Sequence, residues 1–411
     1  MRVLLWHGYL LGGTGSNVYT RALAREWSRA GHDVTVVCQE REPARYDLGG
    51  ARVVRPELPG GLLPVFVLDR YEGLEPRLLQ ELDGAERARY VDANAAVLRE
   101  LAPADLVFAN HVLMGGAVGA ASGLPFRVKA HGSELEYSLR GRAELEAAGR
   151  EALAAADATY VGSRHVREVL EQVLGHVERV FEVPPGVDLA EFAPQERAAA
   201  LAGLLDEARR DPPNPGNEHE RLPDEGNAER FSTFLAGDEP TVLYFGKLIE
   251  NKGVHLLLEA LRELRARAVI VGFGDFRRRL EAEAGPRTLF TGPLEHRHLA
   301  HLLPLADVAV VPSIFPEAFG MVAAEAAAAG CPPLVARHSG LAEIAAGLEA
   351  EYPDRLRHLA AFEPGDTDDL RRKLGELLEL GDADRSELRA AARRAVEARW
   401  SWASVAARLL Q

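Results

Sequence analysis

Three short stretches hold residue types that bind phosphate and sugar. In Gly246-Lys247-Leu248-Ile249-Glu250-Asn251-Lys252-Gly253 two lysines stand close together, in a chain whose only other lysines are Lys129 and Lys373. Compact ammonium groups just ahead of a helix suit a diphosphate with about two negative charges, where an arginine fork is not required. In Pro316-Glu317-Ala318-Phe319-Gly320-Met321-Val322-Ala323-Ala324-Glu325 two carboxylates flank a glycine at which a helix should begin. The N–H groups of Gly320, Met321 and Val322 would leave that helix end unpaired, and carboxylates accept hydrogen bonds from sugar and ribose hydroxyls. Alanines on both sides of Glu325 argue against an ordinary solvated face. The third stretch is Gly12-Gly13-Thr14-Gly15-Ser16-Asn17. Its glycines let backbone N–H groups approach a phosphate, and equally make a tight turn. A dinucleotide reading stays open there: the loop nearly spells G-x-G-x-x-G/A, with Glu40 placed to meet a ribose.

Other clusters read as structure. Asp366-Thr367-Asp368 and Asp382-Ala383-Asp384 have D-x-D spacing but flank helices, where capping and solvation account for them. His296, His298 and His301 have the spacing of one exposed helix face rather than of a closed zinc site.

The elements that must position these residues alternate between buried strands and amphipathic helices, the pattern of a parallel sheet covered on both faces. Val3-Leu4-Leu5-Trp6, the glycine loop, a helix capped by Ser16 or Asn17 and ended by Gly31, and Val34-Thr35-Val36-Val37-Cys38 open one such unit. Thr241-Val242-Leu243-Tyr244-Phe245 opens another, with a helix expected over 254–264. The fold class is therefore α/β, with two Rossmann-like domains. The expected boundaries are 1–190 for the first domain, with a terminal helix at about 396–411 packing back on it. Residues 241–395 form the second. Residues 191–240 read as a hinge and a polar insertion, because 195–240 is rich in Pro, Asn, Glu and Gly and lacks the makings of a core.

These motifs, in this order, resemble family 4 retaining glycosyltransferases of the GT-B fold. The E-x7-E spacing from Glu317 to Glu325 resembles the family signature. Gly12-Gly13 resembles its N-terminal glycine loop, and His131-Gly132-Ser133-Glu134 its post-strand histidine motif. Pro185-Gly186-Val187-Asp188 with Phe192 is similar to its P-N-G-V-D-x-x-x-F stretch. Lys247 replaces the usual arginine of its G-R-L…K-G loop, and Val271-Gly272-Phe273-Gly274 resembles the glycine loop near the base. The resemblance covers nearly the whole chain except 195–240. It implies two domains facing a central cleft. Lys247 and Lys252 would hold the donor diphosphate and Glu325 the ribose. Glu317 and the backbone of Phe319, Gly320, Met321 and Val322 would hold the sugar and phosphate. Gly12 and Gly13 would approach the phosphate from the other domain, and His131 would lie beside the reacting sugar. Lys247 loses the bidentate fork of an arginine.

The resemblance implies transfer of a sugar from a UDP- or GDP-linked donor to an acceptor that is a small molecule, a lipid-linked group or a polysaccharide. The bond formed would be an α-glycoside, made without metal or cofactor. A GT-B epimerase, a dinucleotide-dependent oxidoreductase and a non-catalytic nucleotide-sugar binder are the alternatives. A formal net charge of −14 on 411 residues argues against nucleic acid as a partner. It gives no support for electrostatic docking on an anionic membrane. No stretch reaches the roughly 18 apolar residues of a membrane helix. The expected compartment is the cytoplasm, with or without peripheral attachment to a membrane. Two cysteines, Cys38 and Cys331, exclude a disulfide framework.

Overall fold

The computed structural model describes residues 1–12, 15–66 and 73–411, and of Ser133 the backbone. The chain forms two compact units: Met1–Gly186 with Trp402–Gln411, and Val187–Ser401. The outward passage lies at Gly186–Val187 rather than at 190. The return lies at Ser401–Trp402, because the helix Asp382–Arg399 belongs to the second unit and only Trp402–Leu410 joins the first.

Among the described residues, unit 1 is built on seven parallel strands: β1 (Arg2–Trp6), β2 (Asp33–Val37), β3 (Arg52–Val54), β6 (Leu106–Asn110), β7 (Phe126–Lys129), β8 (Ala158–Val161) and β9 (Val180–Glu182). A small pair, β4 (Leu62–Val65) and β5 (Glu75–Leu78), stands apart. The order in the large sheet is β3-β2-β1-β6-β7-β8-β9. Alternation along β1 divides its apolar side chains between the two faces. Leu4 and Trp6 join Tyr90 and Leu98 in one core, while Val3 and Leu5 join Leu23, Trp27 and Phe108 in another. The helix Trp402–Leu410 completes this second core with Trp402, Val405 and Leu409, and its Ala406 carbonyl accepts from Trp27 Nε1 at 2.8 Å.

Unit 2 is built on β10 (Thr241–Phe245), β11 (Arg267–Val271), β12 (Thr288–Phe290), β13 (Val308–Val311), β14 (Pro333–Ala336) and β15 (Ala361–Phe362). All pair in parallel in the order β12-β11-β10-β13-β14-β15. The first helix after β10 is Val254–Leu261, shorter than the expected 254–264.

The expectation for 195–240 fails. Helices Arg197–Ala208 and Asn227–Phe234 bury Ala200, Leu204, Ala228 and Phe231 in the unit-2 core. Between them, residues 215–221 are exposed, and a few polar residues anchor the segment. Asp224 is buried and takes two hydrogen bonds from Arg277, at 2.8 and 2.5 Å, while its N–H donates to the Thr291 carbonyl. The Asn214 side chain donates to the carbonyls of His219 and Pro223. The histidine cluster is part of this attachment, not an exposed face. His298 is fully buried and bonds Asp211 at 2.9 Å, and His301 bonds Gln195 at 2.9 Å. A composition count misses this because it cannot see that Asp211, Asp224 and Gln195 meet His298, Arg277 and His301 far along the chain.

Asp366 caps the helix Thr367–Leu378 by accepting the N–H groups of Asp368 and Asp369, and Asp384 pairs with Arg355. Cys38 and Cys331 are buried free thiols, one in each unit. Among the described residues no helix is long and apolar enough to cross a membrane.

Candidate active site

The unit-2 sheet reverses its strand order between β10 and β13, so the loops leaving these neighbours diverge and open a crevice at their carboxyl ends. Both motifs of that unit sit there. Lys247 follows β10 and its side chain is exposed. Lys252 ends the short turn Glu250–Lys252, and Gly253 follows at φ +68°. A Cβ on Gly253 would lie 2.0 Å from the Pro312 carbonyl oxygen, so only glycine lets the lysine loop close on the segment after β13. Ile314 N–H donates to the Asn251 carbonyl at 3.0 Å and ties the two loops together.

This closure brings Lys252 into an ion pair with Glu317. The two were expected on different parts of a donor; here the ammonium meets the carboxylate directly. Ser313 Oγ donates to the same oxygen, Glu317 Oε1, at 2.5 Å. Gly320 stands at φ +110° ahead of the helix Met321–Ala328, and a Cβ there would lie 2.6 Å from Leu341 Cδ2. The Phe319 ring is buried edge-on against Trp400, so this residue offers a ligand its backbone only. Met321 and Val322 are partly exposed at the helix start.

Glu325 is buried on that helix. Burial pushes its carboxyl up to about 7; nearby His296 opposes the shift and Glu191 adds to it. His296 Nε2 lies 3.8 Å from Glu325 Oε1 and its Nδ1 3.6 Å from Glu191.

In unit 1, His131 follows β7 and precedes the one-turn helix Gly132–Glu134. Its Nε2 lies 3.0 Å from Asn110 Oδ1. The Asn110 amide nitrogen donates elsewhere, to Trp6 O and Thr20 Oγ1, so Oδ1 accepts and Nε2 carries the proton. The ring packs edge-on against Tyr19 and lies 4.6 Å, centroid to centroid, from His111. Burial, then the charges of Lys129 and His7, hold the His131 imidazole well below its ordinary range, so it is neutral at pH 7. Burial takes His7 down to about 4. Glu134 lies fully buried beneath this group. It accepts the N–H groups of Val112 at 2.7 Å, Leu113 at 3.5 Å and His131 at 3.4 Å, and burial nevertheless pushes it up to about 8.

Asn17 does not cap the first helix, Gly15–Arg29. It lies inside it, accepts from His7 at 2.8 Å and donates to the Gly12 carbonyl. A Cβ on Gly12 would lie 2.6 Å from Tyr46 Oη; Gly13 lies outside the described residues. Glu40 accepts from the backbone of Leu11, Arg41 and Glu42, which commits the carboxylate of the dinucleotide reading to its own loop.

The sequence reading omitted His7, Asn110, Ser313, His338 and Ser339. One signal could have found them: all lie at or just past the carboxyl end of a strand, where open parallel sheets keep their ligand residues.

Known proteins show the same organisation. The family described as "Glycosyltransferase Family 4" matches residues 13–191, and that described as "Glycosyl transferases group 1" matches 226–395. A D-inositol 3-phosphate glycosyltransferase of Xylanimonas cellulosilytica is 34% identical over 201 residues, which span 46% of this chain and only 42% of that relative. A protein of the same description from Nocardia farcinica is 28% identical over 87% of this chain and 78% of its own. Anabaena Alr3699/HepE, solved in complex with UDP-glucose, superposes with a TM-score of 0.66 at 16% identity, covering 100% of this chain and 98% of that one.

Proposed function

The chain belongs to family 4 of the glycosyltransferases and has their GT-B fold, and from this premise we propose that it moves a sugar from a UDP- or GDP-linked donor to an acceptor hydroxyl with retention of the α configuration. The observation that carries this reading is the convergence of Lys252, Glu317 and the Gly320 helix start at the switch point of the unit-2 sheet.

The leaving group is a nucleoside diphosphate, so the demanding task is to stabilise charge on the departing phosphate. Lys247, Lys252 and the N–H groups at Gly320, Met321 and Val322 supply that stabilisation. A diphosphate draws Lys252 from Glu317, and the freed carboxylate accepts sugar hydroxyls; one event loads the phosphate contact and the sugar contact together. Glu325 accepts the ribose hydroxyls. Both glutamates are thus occupied with hydroxyls, and neither serves as a covalent nucleophile of the glycosidase kind. The acceptor attacks on the face from which the diphosphate leaves. The bond from the anomeric carbon to the phosphate oxygen breaks as the bond to the acceptor oxygen forms, and the phosphate oxygen takes the acceptor's proton. His131, held neutral and donating to Asn110, orients the sugar without placing a second positive charge beside an oxocarbenium-like centre.

Two lysines and a helix end do what a divalent ion would otherwise do, so turnover is expected in excess EDTA. Complete inhibition, restored by Mg²⁺ or Mn²⁺, would overturn this part. We further propose that it acts in the cytoplasm, at a membrane surface where the acceptor is lipid-linked. The deciding experiment is acceptor-dependent release of UDP or GDP, followed by proton NMR of the fresh product. An α-anomeric signal from an α-linked donor is expected; a β-linked product overturns retention, and release that ignores every acceptor overturns transfer.

A further inference from the structure

Glu317 is held by a closed ring of hydrogen bonds that involves neither lysine. Its N–H donates to Ser339 Oγ at 2.8 Å. Ser339 Oγ lies 3.1 Å from His338 Nδ1, and His338 Nε2 lies 2.7 Å from the Ser313 carbonyl. Ser313 Oγ returns to Glu317 Oε1 at 2.5 Å. A carbonyl only accepts, so Nε2 donates to Ser313 O, and Nδ1 faces the Ser339 hydroxyl. That hydroxyl is then free to accept from Glu317 N–H. The three other links each have a fixed donor: Glu317 N–H, His338 Nε2–H and the Ser313 hydroxyl.

The backbone is shaped to make this ring. Ser339 has φ +47°, a conformation that non-glycine residues adopt rarely. Gly340 N–H donates to the Glu317 carbonyl at 2.9 Å, and a Cβ on Gly340 would lie 2.5 Å from Phe319 Cα. The turn at 338–340 is thus pressed against the 317–319 loop. Strain of this kind persists where the surroundings over-determine it, and it gathers at functional sites.

We propose that His338, Ser339 and Ser313 are positioning residues that fix the carboxylate of Glu317 for the hydroxyls of the donor sugar. The inference rests on the reading of Glu317 given above. Once a diphosphate takes Lys252, Glu317 loses its ammonium partner; the Ser313 hydroxyl then holds the carboxylate, and Ser339 holds the backbone from which it extends. The ring thus governs affinity for the sugar half of the donor and leaves the nucleotide half to the lysines and Glu325.

Titration calorimetry with UDP-glucose and GDP-mannose, beside UDP and GDP, reads the two halves apart. His338→Ala removes both imidazole arms. Ser339→Gly removes the hydroxyl while keeping a residue suited to the positive φ. Each is expected to weaken the preferred nucleotide-sugar about tenfold while free nucleoside diphosphate stays within about twofold. His338→Gln, which restores the donor to the Ser313 carbonyl, should recover part of the loss. Glu317→Ala is the control. Should it weaken the nucleotide-sugar while His338→Ala and Ser339→Gly do not, the positioning role falls and the reading of Glu317 stands. Should Glu317→Ala have no effect, or the parent bind neither donor, the reading falls and takes this inference with it. Equal losses for nucleotide and nucleotide-sugar in the His338 variant would mark a general collapse of the loop and overturn the proposal.

Discussion

At the scale of single residues, Glu325 makes the reading testable by pH. Its carboxyl is raised to about 7, above its ordinary value, chiefly by burial, with Glu191 adding and His296 opposing. Ribose hydroxyls donate to the ionised form, so binding favours that form. Nucleoside diphosphate affinity should therefore be full at pH 8 and fall as pH drops through 7. Glu325→Gln should flatten the profile, and calorimetry at pH 6, 7 and 8 checks it; an unchanged slope in the variant would trace the dependence to another group. Lys252 is checked against Lys373, which already donates to the Ala361 carbonyl and lies 3.4 Å from Asp369. Lys252→Ala should weaken UDP or GDP roughly tenfold or more, the size of a lost charge-assisted hydrogen bond, and Lys373→Ala should leave affinity near that of the parent. Equal affinities for the two variants would remove Lys252 from the site. His131→Ala should lower turnover strongly with little change in nucleotide affinity, a kcat loss without a binding loss.

At the scale of elements, the strands and the motifs at their carboxyl ends were legible in the sequence because both depend on local pattern. A buried run broken by Gly246-Lys247 after Phe245 carries the same message as one broken by Pro312-Ser313 after Val311. What stayed hidden depends on partners far apart in sequence. Nothing around Asp211-Pro212-Pro213-Asn214 announces that Asp211 meets His298, or that Asp224 meets Arg277. The spacing of His296, His298 and His301 suits an exposed helix face only until another helix lies on it, as Arg197–Ala208 does. The lysine loop was legible, but the closure that pairs Lys252 with Glu317 was not, because it turns on the approach of Gly253 to Pro312. The anchoring of 195–240 carries its own prediction. Asp224→Ala removes two hydrogen bonds from Arg277, leaves its guanidinium to Glu281 alone, and should cost about 2 kcal/mol. That should appear as a fall of roughly 5 °C or more in the unit-2 melting transition. A change under about 1 °C would show that the segment is attached only loosely.

At the scale of the whole molecule, the division into units does not follow the order of synthesis. Unit 2 is one continuous stretch, Val187–Ser401, whereas unit 1 needs Trp402–Leu410 to cover Leu23, Trp27 and Phe108. Full burial of side chains such as Trp402, Val405 and Leu409 is worth about 1.5–3 kcal/mol for each aliphatic one, which for a unit of this size is a large part of net stability. Leu409→Asp should therefore lower the unit-1 transition in calorimetry, while UDP or GDP still raises the unit-2 transition. Loss of both effects together would mean that the units do not melt separately. On the ribosome the same arrangement reverses the usual succession, in which the earlier domain folds first. Residues 1–186 are made earlier and wait, with the part of the sheet face that Trp402–Leu410 covers left open, while the 187–401 unit is completed behind them. A nascent chain arrested with residue 401 just clear of the exit tunnel should hold a protease-resistant second half and a cleavable first half, and a few more turns of elongation should protect both.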